Sequence, residues 1–300
     1  MFLQIFISNI LPAFLIIGAG ALLGRVLGLE VRTPSRITLY FFVPCLVFTS
    51  LTKSTVGVQD FASILLFLVL ITGAIGVVSY GTARVTGLNR RQENALLLST
   101  MFLNAGNLGL PILLFAYGQE GMDRGIVFYI GSALMAHTVA AFFASRGRAS
   151  LRQSLVNMFK LPTLYAILLA FALRTVHVAP PDFAFKSISL VSGAAIPTLL
   201  FTLGIQLAQT TPRGNWRLIS AATAIKLLAA PALAFGLAGL MGLQGLTYKV
   251  CVFEASTPAA ITAALMAIEF DAEPAFVTSV VFLTTLLSSI TLTVVLGLLG

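Results

Sequence analysis

Long apolar runs separated by short polar links fill the chain. Ten runs approach the roughly 17–25 residues that a membrane-crossing helix needs: 3–24, 37–52, 61–83, 95–117, 125–145, 157–174, 186–209, 217–242, 246–268 and 274–299. No link between them is long enough to hold a soluble domain. Two runs carry polar residues around a proline, in Asn104-Ala-Gly-Asn-Leu-Gly-Leu-Pro111 and in Glu254-Ala-Ser-Thr-Pro258. A proline inside a helix lacks a donor and frees the carbonyl four residues earlier, here those of Asn107 and Glu254. Interrupted helices at corresponding places in two halves of a membrane protein point to a transporter's binding site. The pattern therefore reads as a carrier.

The two halves also match elsewhere. Leu11-Pro12-Ala-Phe-Leu recurs as Leu161-Pro162-Thr-Leu-Tyr, and Val43-Pro-Cys-Leu-Val-Phe-Thr49 as Ile196-Pro-Thr-Leu-Leu-Phe-Thr202. With Pro111 and Pro258 these pairs keep one order and a nearly constant spacing, the signature of a duplication. The expected layout is a first five-helix repeat over 1–145, a central cytoplasmic link over 146–156, and a second, inverted repeat over 157–300.

Composition narrows the class. Hydrophobic residues make up 58% of the 300 and charged residues only 9%, with a mean hydropathy of +1.00. Such a chain is an all-α membrane protein rather than a soluble domain. Cys45 and Cys251 both sit in apolar runs, which argues against a disulfide framework. Two histidines are too few for a zinc centre, so no cofactor or resident metal is expected. The net charge of +8 contains no basic run that would read as nucleic-acid binding. The N-terminal run lacks a basic n-region and a small-residue cleavage site, so it reads as a retained helix.

The positive charge instead sets orientation. Arg25, Arg32, Arg36, Arg84, Arg90, Arg91, Arg146, Arg148, Arg152, Arg213 and Arg217 flank one set of alternate links. The other set has little beyond Lys53, Arg124, Arg174, Lys186 and Lys249. The arginine-rich set should face the cytoplasm, which leaves both termini on the non-cytoplasmic side of the cell (inner) membrane. The acidic link 269–273 then reads as a solvated cytoplasmic loop.

In that topology the fourth and ninth spans run antiparallel and their breaks cross near the midplane. Irregular backbone at that depth must be covered by protein or water. The crossing gathers half-helix C-terminal ends, which attract cations, and N-terminal ends, which attract anions. A small organic anion with a coupling cation suits both. The substrate-binding candidates are Asn104, Asn107, Leu110, Pro111, Thr257, Pro258 and Ala259. The coupling-ion candidates are Glu254, Asn107 and Ser256. A carboxyl group at a helix centre costs roughly 2.5–3.5 kcal/mol to insert, so Glu254 should be protonated, paired, or bound to sodium. Lys226 is expected either to neutralise Glu254, to attract the anion, or to snorkel to the interface. His137 is a minor proton-relay candidate. Phe102 and Phe253 flank the breaks and are weaker candidates for packing on a substrate. Gly18-Ala-Gly20-Ala-Leu-Leu-Gly24 is no nucleotide loop, since no strand precedes it; Gly20 and Gly24 suit close helix packing.

Asn104-Ala-Gly-Asn-Leu-Gly-Leu-Pro111 resembles the fourth-helix motif of the auxin efflux carrier family. Pro197-Thr-Leu-Leu-Phe-Thr-Leu-Gly204-Ile-Gln-Leu-Ala208 resembles that family's seventh helix. The resemblance covers nearly the whole chain. It implies ten transmembrane helices in a 5+5 inverted repeat, with spans 1, 2, 6 and 7 as scaffold and 3–5 and 8–10 as transport core. It also implies elevator-type alternating access for carboxylates and, since dimers occur among the relatives, a homodimer as one assembly. Cys251-Val-Phe-Glu254-Ala-Ser is similar to the ninth-helix segment of the bile-acid sodium symporters, whose glutamate helps bind sodium. Those proteins have a glutamine-asparagine pair where Thr257-Pro258 stand here, so the ion, sodium or proton, stays open.

Rival readings are a passive anion channel and a non-transporting membrane sensor or scaffold. An intramembrane enzyme is disfavoured because Glu254 is the only buried acid that the pattern suggests.

Overall fold

The computed structural model describes residues 1–145, 159 and 161–300, with the side chains of 137–145 outside that description. Its described residues form helices and no strand, apart from one isolated antiparallel bridge between Leu103 and Ala259. The helices are α1 (Phe2–Val26), α2 (Arg32–Lys53), α3 (Val58–Val85), α4 (Arg90–Met101), α5 (Leu110–Ser145), α6 (Pro162–Thr175), α7 (Asp182–Gln209), α8 (Trp216–Leu240), α9 (Gly245–Ala255), α10 (Ile261–Glu269) and α11 (Pro274–Leu299). Six of these, α1, α2, α3, α7, α8 and α11, are long and apolar enough to cross a membrane. Of the remaining expected spans, two are divided, the sixth is represented by the shorter α6, and the run 125–145 lies within the last part of α5. The run 95–117 is split between α4 and α5, and the run 246–268 between α9 and α10, at 11 and 9 residues each.

The prolines explain which helices bend and which break. Pro12, Pro44, Pro111 and Pro231 each stand just after a single wide turn, over Phe6–Ile10, Thr38–Phe42, Ala105–Gly109 and Ile225–Ala229. A proline ring collides with the carbonyl one turn back, and widening that turn to a π-helical one relieves the collision. Three of the four prolines thereby stay inside continuous helices. At Pro111 the chain also leaves helical geometry upstream, over 102–104. Pro258 has no such wide turn, and α9 stops outright at Ala255.

α5 turns sharply at Gly118, whose φ of 63° and ψ of −157° suit a residue without a Cβ. The turn divides the helix into a first arm that begins at Leu110 and a second that ends at Ser145. The link expected over 118–124 is therefore only this turn, and Gln119 to Arg124 are already helical. The expected central link, 146–156, lies outside the described residues.

Packing gathers the helices in two sets. α1 lies along α7, and α2 lies along α6 and the first part of α7. Elsewhere α3 packs on α4, α5 and α9, while α10 packs on α11. Glycines permit the closest approach: Gly20 faces the Phe201 carbonyl, and Gly204 faces the Ile17 carbonyl. The large core around Phe67, Phe128 and Phe253 encloses the crossing from the side of α3, α9 and α11.

Candidate functional site

The two interruptions meet. Asn104 N–H donates to the Pro258 carbonyl at 3.0 Å, and Ala260 N–H donates to the Phe102 carbonyl at 3.1 Å. These bonds form an antiparallel bridge of extended backbone, which pairs groups that neither helix can satisfy once it has stopped. Thr284 of α11 accepts from Ala259 N–H at 3.2 Å and holds the joint from behind. The Asn104 carbonyl receives Leu108 N–H and Gly109 N–H, so the wide turn opens directly from the bridge.

A cavity of about 300 Å³ adjoins this joint. Asn104 and Asn107 both line it, as do Phe102 and Ala260. Asn104 is buried, and its Nδ2 has no hydrogen-bond partner. The free amide stands beside the N-terminal ends of the Ala105–Gly109 turn and of α10. These supply unpaired N–H groups and the positive end of a helix dipole, a combination that suits an anionic group. Thr72, Ser132, Thr163 and Thr262 add hydroxyls to the wall. Sequence reasoning missed these four, because a threonine or serine inside an apolar helix usually bonds its own backbone and carries no distinguishing signal.

The other substrate candidates stand apart from that cavity. Leu110, Pro111, Thr257, Pro258 and Ala259 are all buried and form the structural joint rather than its wall. The carbonyl of Glu254 is not free as the proline argument expected. It accepts from Thr257 N–H at 3.2 Å and from Thr257 Oγ1 at 2.6 Å. The side chain after the break replaces the donor that Pro258 lacks. Ser256 Oγ likewise donates to the Val252 carbonyl at 2.7 Å.

The Glu254 side chain is fully buried, and neither carboxyl oxygen has a hydrogen-bond partner. It lies against Gly109 at the start of α5 and near Gly125 of the second arm. Gly109 is two residues beyond Asn107, and Glu254 is two residues before Ser256. A buried carboxyl without donors is expensive unless it carries a proton or meets a cation.

Lys226 is also fully buried, with its Nζ unpartnered, and no ion pair joins it to Glu254. Neutralisation by direct pairing is thus not the arrangement present, and snorkelling is excluded by the burial of the whole side chain. The His137 side chain lies outside the described residues. Phe253 is core, while Phe102 reaches the cavity wall. Two further acids are buried, contrary to expectation. Asp123 accepts from Ser50 and Gln119, and Glu93 lies 3.9 Å from Arg84. Both sit at helix starts near links, where the hydropathy pattern read them as solvated. The acidic loop is solvated as expected, and Arg91 pairs there with Asp271 and Glu273.

The membrane transport protein family matches the chain over residues 5–154 and 146–296. This chain belongs to that family. The resemblance to the auxin efflux carriers is thereby borne out. Membership makes the chain a multi-pass membrane transport protein. An uncharacterized transporter of Methanothermobacter thermautotrophicus is 30% identical over 293 residues, covering 95% of each chain. An uncharacterized transporter of Methanocaldococcus jannaschii is 25% identical over 265 residues, covering 85% of each.

Proposed function

We propose that this protein is a secondary transporter that carries a small organic anion, a carboxylate, across the cell membrane by elevator-type alternating access. The observation that carries the reading is the backbone bridge at Asn104 and Ala260, with Asn104, whose buried amide nitrogen has no partner, among the residues lining a cavity beside two helix N-terminal ends. An anion needs donors, and a carrier needs them where water reaches from one side at a time. The family supports transport in general. The bound carboxylate sits at Asn104 and Asn107, and Glu254 carries the coupling sodium ion or proton.

In this reading the halves α4 with α5's first arm, and α9 with α10, each cross the bilayer as one broken span. α5's second arm and α6 complete ten spans in an inverted 5+5 repeat, with both termini non-cytoplasmic. The set α1, α2, α6 and α7 is the scaffold, and the remainder moves against it. The protein is no enzyme in this scheme and needs no cofactor.

Uptake into proteoliposomes tests the proposal. Radiolabelled malonate and phenylacetate should enter saturably, faster with unlabelled carboxylate inside. Flux that rises linearly without saturation or trans-stimulation would make the protein a channel instead.

A further inference from the structure

A second and larger cavity, of about 500 Å³, shares no lining residue with the first. It lies between Ile16 of α1, the last turns of α2, the stretches of α5 on both sides of the Gly118 turn and the middle of α7. Lys53 lines it and has no acidic partner among the described residues; its Nζ stands 4.8 Å from the centre of the Phe185 ring. Ser50 and Gln119 also line it. Both already serve a carboxylate: Ser50 Oγ donates to Asp123 Oδ1 at 2.5 Å, and Gln119 Nε2 donates to the same oxygen at 2.7 Å. Asp123 stands behind this wall, buried. Leu46, Leu114 and Met122 supply apolar surface.

A free ammonium and two donors already oriented on a carboxylate oxygen are the parts of a carboxylate site. The apolar remainder suits a hydrocarbon body. We propose that this cavity is a second binding site, for a small monocarboxylate with an apolar body. Its head group pairs with Lys53, and it competes with Asp123 for Ser50 and Gln119. Asp123 acts as a tethered rival that keeps the affinity low. Both the scaffold helices α2 and α7 and the moving helix α5 line the cavity, but equilibrium binding needs no turnover, so binding here and uptake can fail separately.

Equilibrium binding of radiolabelled phenylacetate, hexanoate and malonate to the purified full chain in detergent tests this. Phenylacetate or hexanoate should show a component that weakens about fivefold to tenfold in Lys53→Gln. That component should persist in Asn104→Ala, and malonate should lack it. Asp123→Asn, which keeps the side chain's shape, and Asp123→Ala should each tighten it, since either removes the rival charge. A Lys53→Gln protein that unfolds at the wild-type temperature and binds all three acids as wild type does would overturn the proposal. So would weaker binding in both Asp123 variants. Loss of uptake with the Lys53 component intact would count against the carrier reading alone.

Discussion

Gly109 and Glu254 fit each other so closely that a methyl group at position 109 would overlap both carboxyl oxygens. The glycine is demanded by the neighbouring helix, since its own φ is not in the left-handed region. Gly109→Ala must therefore push the Glu254 side chain aside or spread the crossing. Overpacking of this kind costs about 1–3 kcal/mol. A lower unfolding temperature in detergent and loss of carboxylate uptake are expected. Shortening the acid in Gly109→Ala/Glu254→Ala should restore much of the stability without restoring ion dependence. Wild-type stability in Gly109→Ala alone would contradict the fit.

Glu254 offers two oxygens and receives no donor from the protein. Glu254→Gln keeps the volume and removes the charge that a sodium ion or proton would meet. Uptake by this variant should lose its dependence on the sodium or pH gradient, whichever the wild type shows, while its folding persists. An unchanged ion response in proteoliposomes would remove Glu254 from coupling.

Much of this architecture is legible in the chain because proline and hydropathy act locally. Pro111 and Pro258 marked the two breaks, and the asparagines beside Pro111 marked the cavity wall. What escaped is what depends on partners distant in sequence. The proline rule frees a carbonyl at Glu254, but the rule is blind to a threonine placed to refill it. Asp123 reads as part of a polar link, since only the turn at Gly118 brings it beneath Ser50 of α2. Lys226 and Glu254 are an ionisable base and an ionisable acid on adjoining helices, yet no pattern in the chain tells whether their ends touch.

The α1–α7 contact rests on glycine in a different way. Gly204 faces the Ile17 carbonyl and Gly20 faces the Phe201 carbonyl, so each helix supplies a groove for the other's backbone. Small residues allow such approach in lipid, where packing and not water exclusion drives association. Gly204→Val should separate the pair and destabilise the protein by about 1–3 kcal/mol. Gly18, on the same helix as Gly20, faces open space, and Gly18→Ala should change stability by no more than about 0.5 kcal/mol. Thermal unfolding of the two variants in one detergent provides the comparison. Equal shifts would mean that helix propensity, not contact, sets the effect.

Thr284 ties α11 to the crossing through one bond, from Ala259 N–H to its Oγ1 at 3.2 Å. The same hydroxyl donates to the Val280 carbonyl at 2.6 Å, so its proton is committed and only its acceptor role serves the joint. Thr284→Val preserves the shape and leaves a fully buried N–H without an acceptor. Such a group costs about 1–3 kcal/mol. Thr284→Ser keeps the oxygen and should retain most of the stability. Hydrogen exchange at Ala259 discriminates further: the amide should exchange faster in Thr284→Val than in Thr284→Ser, while amides in the middle of α3 stay protected in both. Equal protection of Ala259 in the two variants would show that the bridge to Leu103 holds the joint without help from α11.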